Sequence, residues 1–537
     1  MSAPMSERGG NGKIIAGAVV ALAAIGGGAY WFFGIRAKNE QQNTAQAEIL
    51  QWETRLAAAQ TCLFGEKPAS SDSGEALAVR ELTPDPWDRS TCTKLVGAIA
   101  RGVADDTGLM PVEHAWMTLN RAAAKVATAF AVSKDPYGKT AADERRGVSD
   151  LPDALRELDK AHAELRQAAK MPPATAAAIP PLPVAQVVPM LVGGAEITGI
   201  DLFPRASAGT LVMWGVTKDT PVQITLVPGA QPRIEKVPAF TVRGFVPEKG
   251  FGLAGAWGAA GLGGGIAVGS IDDKGVFAAP QTISPTGGSL LAAVGPFDDS
   301  LVAFATNDGI VFAHGKGNPP AFTLDKPVRA GTTQIAFDPI AGRAMLAWAE
   351  LPPLSVRAVA EPDAPPPLVG TIVQNGSPIQ TVSIGAGDPM YSCLSRRHGY
   401  VVTENRETMR FDATGSAPLA IDANFALEGC GAGGALFADA GTTRYTVCDD
   451  AGCRLVDLRG ARATEHAALA SDHVVSIAVR ERVLAVWSEK SKPTFYRLPE
   501  KVVPRKVISD GKTIDVLAES ATENKPLHYV LVRVPAT

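Results

Sequence analysis

The sequence predicts a mainly β chain: a β-propeller of about seven blades, with six or eight as alternatives, preceded by one transmembrane helix and a small helical domain. Three observations carry this reading. Residues 14–35 hold 22 positions without a charged side chain. Between 39 and 170 apolar residues recur at steps of three and four, the period of an amphipathic helix. Beyond 190 a strand, a polar turn and a second strand recur eight times. The expected organisation is a cytoplasmic tail at 1–13, the transmembrane helix at 14–35, a helical membrane-proximal domain at 37–170, a Pro/Ala-rich linker at 171–189 and the propeller at 190–537.

The uncharged run comes first. As a helix it would be about 33 Å long, against a bilayer core of about 30 Å. Its ends are Ile14 and Ile35, and Tyr30, Trp31, Phe32 and Phe33 gather just ahead of Arg36 and Lys38. Rings at headgroup level and basic side chains reaching outward are how a retained anchor ends. A cleavable signal peptide is the alternative, with Lys13 as its basic flank and Gly27, Gly28 and Ala29 near the cut. The apolar run continues past that point, which favours the anchor. Arg8 and Lys13 precede the span and Arg36 and Lys38 follow it, so basic residues do not set the orientation. The short tail and the cysteines, all C-terminal to the span, place the tail inside. The expectation is a single-pass protein of the inner (plasma) membrane with its bulk in the periplasm or outside the cell.

Three series draw helical stripes after the span. They are Ile49, Trp52, Leu56, Ala59 and Leu63; then Trp116, Leu119, Ala123, Val126 and Phe130; then Leu151, Leu155, Leu158, His162, Leu165 and Ala169. Ser149 reads as an N-cap of the third helix, with Pro152 in its first turn. A shorter helix is expected from about Ser90 to Arg101. Such stripes bury one another in a bundle, or else mediate a coiled coil and an oligomer. His162 reads as a packed or half-exposed histidine. The stretch 171–189 then carries six prolines, which block a helix and stiffen the backbone into a spacer.

The recurring hairpins are TLVMWGVTKDTPVQITLV from Thr210, GIAVGSIDDKGVFAAP from Gly265, SLVAFATNDGIVFAHG from Ser300 and RAMLAWAELPPLSVRAV from Arg343. They continue as GYVVTENRETMRFDA from Gly399, GALFADAGTTRYTVCD from Gly434, RVLAVWSEKSKPTFYRL from Arg482 and KTIDVLAESATENKPLHYVLVRV from Lys512. The mean period, about 40 to 45 residues, is that of four-stranded propeller blades. Strand pairs at that spacing bury their faces by packing radially around an axis.

The hairpins that contain MWGV, AWAE and VWSE resemble the blade hairpins of bacterial sialidase-like β-propellers. Ser270, Asp272, Asp273, Gly275 and Phe277, and also Thr306, Asn307, Asp308 and Gly309, are similar to that family's Asp-box, each departing from its spacing by one position. The likeness spans roughly Val187 to Thr537 and implies a fold, since one propeller architecture hosts enzymes, lectins and scaffolds alike. Each Asp-Gly pair here reads first as a hairpin turn.

All six cysteines follow the span, as an oxidising compartment allows. Cys448 and Cys453 flank four turn residues, so a hairpin sets them opposite each other. Cys62 with Cys92 would tie the first helix to the second. Cys393 and Cys430 then remain to link neighbouring blades. A zinc site has no CxxC or paired histidine to rest on.

A net charge of −4 gives no long-range attraction to nucleic acid. Gly250, Gly252 and Gly255 satisfy GxGxxG without the strand, turn and helix that a dinucleotide site needs. Gly138 and Gly511 each start a Gly-Lys-Thr without the upstream glycine of a phosphate loop. No HExxH, GxSxG or EF-hand loop occurs, so no catalytic residue, metal ligand or cofactor is expected. Arg396, Arg397 and His398 form the densest basic cluster of the propeller; Arg396 and Arg397 are its candidate ligand-binding residues, with a solvated loop as the alternative reading. The expected function is a membrane-anchored binding or scaffold protein that presents its propeller to a protein or glycan partner in the envelope. A sialidase-like glycosidase or lyase, and a structural protein that oligomerises through its helices, are the alternatives.

Overall fold

The computed structural model describes residues 36–83, 89–100, 109–132, 141–174, 179, 181–200, 205–218, 220–236, 343–350, 364–374, 380–439, 442–458, 465–520 and 526–536, with the strands between 253 and 338 and the turn at 340–341. The expected tail and span, including Ile14, Tyr30, Trp31, Phe32, Phe33 and Ile35, lie outside the described residues. Among the described helices none is long and apolar enough to cross a membrane. The protein divides into two compact units that part between Pro181 and Leu182.

The first unit is helical: α1 (Arg36–Phe64), α2 (Ser73–Leu82), α3 (Arg89–Ile99), α4 (Met110–Val132) and α5 (Ala141–Ala168). The apolar stripes close on one another. Ile49, Trp52, Leu56, Trp116, Leu119, Leu158 and Leu165 share one buried core. The rings of Trp52 and Trp116 meet edge to face at 6.2 Å, and the Trp52 indole N–H donates to the Ile99 carbonyl at 3.1 Å. These stripes are spent inside the unit, so the seam that a coiled coil would need is already covered. Cys62 and Cys92 bond α1 to α3. Gln46 donates to the Ala169 carbonyl at 2.9 Å, satisfying an orphan acceptor at the end of α5.

Two expectations change here. α2 was not legible as a stripe; Asp72 caps it, accepting the Glu75 N–H at 3.0 Å. α5 starts at Ala141, not after Ser149, and so contains Pro152. The buried stripe fixes the helix only from Leu151 onward, and the earlier turns continue it at the cost of one backbone bond.

The second unit is a β-propeller. The described residues hold eight four-stranded antiparallel sheets, at 199–236, 253–284, 290–324, 334–386, 389–419, 425–457, 466–497 and 502–535. In each of the first seven the strands pair in sequence order. The eight hairpins fall one to a sheet, so the sheet count follows the alternative of eight rather than seven. In the fourth sheet Arg343–Ala349 pairs with Pro367–Gln374 instead of the residues next in line.

The eighth sheet has three strands from the C-terminus and takes its fourth from the start of the unit. Gln186–Pro189 pairs with His528–Pro535, with Val188 opposite Leu531. The expected linker 171–189 therefore ends in a strand: Pro189 stands at an outer edge, where a missing N–H costs no ladder bond. Val188, Leu211, Ile224, Ile508, Leu517 and Leu531 share one core, which joins the eighth sheet to the first. Val475, Ile477, Val507 and Val516 do the same between the seventh and eighth.

Candidate functional site

Strands 290–297, 334–338, 389–394, 425–430, 466–470 and 502–509 each contact the next, so these are the inner strands of the third to eighth sheets. In the fifth, sixth and eighth sheets the inner strand is bulged. Pro389 faces Thr403 and Tyr391 faces Val402, which leaves Met390 unpaired. Likewise Leu427 and Gly429 face Phe437 and Leu436, leaving Glu428, while Pro504 and Lys506 face Ala518 and Leu517, leaving Arg505. A bulge bends its strand and re-aims a side chain. The third sheet's inner strand is bulged too, with Leu290 and Ala292 facing Thr306 and Ala305, so among the described strands the distortion falls on the inner strand of four sheets.

A segment following Gly199–Ile200 runs along these strands. Ala206 bridges Gly429 in parallel; the Cys430 N–H donates to the Ala206 carbonyl at 2.7 Å, and the Gly209 N–H to the Cys430 carbonyl at 2.9 Å. A Cβ on Gly429 would stand 3.1 Å from the Ala206 nitrogen, so glycine permits the approach. The Ala208 N–H reaches the Leu394 carbonyl at 2.7 Å. Cys393 and Cys430 bond the fifth inner strand to the sixth beside this segment.

Between the segment and the sixth, seventh and eighth inner strands lies a small cleft of about 20 Å³, room for about one water, lined by Glu428, His466, Lys506, Leu211 and Leu469 among others. Arg205 opens the segment beside it. Its Nε–H donates to the Leu427 carbonyl at 2.9 Å, and its guanidinium carbon sits 4.0 Å from the centre of the Tyr391 ring. Burial holds the Glu428 carboxyl above its usual range, against the pull of Lys506 and Arg205. Burial also lowers Arg205, with Glu428 and Tyr391 opposing, and lowers His466, whose Nε2 lies 3.1 Å from the Pro504 carbonyl. Arg505 turns instead to Glu519, donating at 2.5 Å, and Tyr529 donates to the same carboxylate at 2.9 Å. The bond from Arg505 holds Glu519 low; burial and Glu519 push Tyr529 up to about 12.

The sequence candidates lie at the other end of the sheets. The turn 395–398 joins the first and second strands of the fifth sheet, and in it Arg397 donates to Asp450 at 2.5 Å. His398 Nδ1 is 3.1 Å from Asp450 Oδ1 but off the line of a hydrogen bond, and its Nε2 is 3.6 Å from Asp412. The Arg396 side chain is exposed. Further pairs follow at the same end: Arg454 with Glu489 at 2.5 Å, Lys490 with Asp472, and Arg533 with Asp515 at 2.7 Å. The Cys448–Cys453 disulfide closes a hairpin there, with the two residues directly opposed.

In the helical unit His162 lies 2.6 Å from Glu53, which also pairs with Arg166; this clasp joins α1 to α5. Among the described residues no three metal-ligating side chains converge. Sequence reasoning missed Arg205, Tyr391, Glu428, His466 and Lys506. The available signal was a charge inside an otherwise apolar inner strand, as in FALEGC and VVPRKVIS.

No family model matches the sequence, and no curated protein matches it. Solved structures similar to it include the WD40 domain of SCAP from fission yeast, at 11% identity over 66% of this protein and 98% of that one, with a TM-score of 0.34. The WD40 β-propeller domain of Doa1 is 11% identical over 66% and 97%, with a TM-score of 0.28. A eukaryotic initiation factor is 11% identical over 64% and 91%, with a TM-score of 0.36. None of the three is a sialidase by its name. The propeller rests on the strand pairing above, and these likenesses add nothing about function.

Proposed function

We propose that this is a membrane-anchored, extracytoplasmic scaffold whose eight-bladed propeller binds a protein partner on the face where its inner strands begin. The observation that carries the reading is that face itself. Where the fifth and eighth inner strands begin, Met390 and Val503 are 47% and 46% exposed, and Tyr391, beside Met390, stacks with Arg205. Methionine, tyrosine and arginine are the types enriched at the cores of protein interfaces. The uncharged run 14–35 supplies the anchor in this reading, and three disulfides suit an oxidising compartment.

A protein partner is favoured over a glycan because exposed Met390 and Val503 offer apolar contact. The glycosidase alternative asks for two carboxylates roughly 5 to 9.5 Å apart; the described lining of the cleft supplies Glu428. The test is in-cell crosslinking, then detergent extraction and pull-down, of the full-length protein beside a version ending at Met171. Partners recovered with the full-length protein and lost with the shorter one support the reading. An identical set from both would sink it.

A further inference from the structure

We propose that the Cys448–Cys453 disulfide is a thiol–disulfide exchange site, attacked at the Cys453 sulfur by a dithiol reductant. All six cysteines are paired, and the three pairs sit in different surroundings. Cys393 and Cys430 are both buried in one apolar cluster. Cys92 is buried too, and Cys62 is half-buried against the helical core. Cys453 is the one exposed cysteine of the six. It lies on Gly452–Asp457, the outermost strand of the sixth sheet, with no further strand beyond it in that sheet. Exchange needs access for the attacking thiolate, and exposed disulfides are the labile ones. The loop points the same way: Cys448 and Cys453 are 5 positions apart, against 30 and 37 for the other pairs. A bond that closes so short a loop adds least to the fold, and by linkage the fold protects it least from reduction.

The sheet register keeps the exchange from spreading inward. Cys430 faces Ala435, Ala435 faces Cys448 and Cys448 faces Cys453, one row across all four strands. At about 4.8 Å per strand, Cys448 stands roughly 10 Å from Cys430 along that row. Cysteines whose Cα atoms are more than about 7 Å apart cannot be bridged without moving backbone. A thiolate freed at Cys448 therefore reaches Cys453 and not Cys430. Reduction also leaves Cys448 in place, because Ala435 pairs with it on its other side and its carbonyl accepts from the Tyr400 hydroxyl at 3.2 Å. The opened pair stays opposed and able to close again.

The chemistry balances as a two-step exchange. A thiolate of the dithiol bonds to the Cys453 sulfur while the Cys448–Cys453 bond breaks, and the electron pair leaves on the Cys448 sulfur, which takes up a proton. The second thiol of the reductant, deprotonated, then attacks the reductant's own sulfur in the mixed disulfide and releases Cys453, which is protonated in turn. Cys448 and Cys453 end as thiols, and the reductant ends as a disulfide.

The experiment treats the full-length protein in detergent, without denaturant, with dithiothreitol over a time series, quenches in acid, and alkylates the thiols for peptide mass spectrometry. Cys448 and Cys453 should take up label together, at least about tenfold faster than either other pair. Glutathione, a monothiol, should be trapped by the same quench as a mixed disulfide on Cys453 and not on Cys448. Any one of three results overturns the inference: another pair labelled first or at an equal rate, no label at 448 and 453 until denaturant is added, or glutathione captured on Cys448. The outcome leaves the partner-binding reading untouched, since that reading concerns the opposite end of the sheets.

Discussion

Arg397 and Arg205 belong to the same β unit and end in opposite situations. Arg397 stands in the densest basic run of the propeller, and its charge is consumed by Asp450. Arg205 is a lone arginine in the segment 205–210, and among the described residues only its Nε–H is bonded. The carboxylates around them shift in opposite directions. At the paired end, Asp472 is held down at about 2, by the hydrogen bond from Lys490 first, and Asp412 is lowered by Thr414. In the cleft Glu428 is raised by burial. Charges at the paired end settle with one another, and of the two charges at inner-strand bulges Arg505 settles on Glu519 while burial holds Glu428 up.

Each region has its own disulfide, which gives the largest expected effect. Cys393–Cys430 spans 37 residues and joins two inner strands, while Cys448–Cys453 spans 5 within one hairpin. Loop-closure arithmetic assigns about 4 kcal/mol to the first and about 2 kcal/mol to the second. Urea unfolding of C393A/C430A and C448A/C453A should rank them in that order. The reverse order would mean that the inner strands do not depend on their cross-link.

pH separates the regions with a smaller effect. Asp472 has a folded value below its ordinary one, so its stabilisation is full above about 4 and is lost as pH falls toward about 2. Glu428 has a folded value above its ordinary 4.5, so stability falls as pH rises from there through the raised value. Arg205, Lys506 and His466 face it and do not reverse the direction. A single group tilts stability by at most about 1.4 kcal/mol per pH unit. D472N should flatten the acid limb of the urea midpoint against pH, and E428Q the limb above it; an unchanged profile in either variant would contradict the assignment. The smallest effect belongs to R397Q. Its ion pair is 76% exposed on the arginine side, so stability should change by no more than about 0.5 kcal/mol.

The architecture was largely legible because hairpins and cysteines are local. Each Trp-bearing or Gly-turned strand pair falls in its own sheet, and the hairpin spacing of Cys448 and Cys453 places them in register. The site was not legible, for a physical reason. A bulge such as the one at Glu428 leaves the alternation of its strand nearly intact, so periodicity does not reveal which residue it turns toward the axis. Arg205 gains its role from Leu427 and Tyr391, both more than 180 positions away. Arg396 and Arg397 were conspicuous for their clustering, and clustering next to an aspartate-rich turn is what neutralised Arg397. The same limit explains α5, where Pro152 suggested a start that the helix passes through.

The most direct measurement places a photo-crosslinking residue at Val503, where the eighth inner strand begins, and in a second version at Ala451, in the paired turn, within the full-length protein in its native cells. Both positions are exposed. The partner should be captured from 503 and not from 451. Capture from 451 alone would place binding at the paired end and contradict the role given to the opposite face.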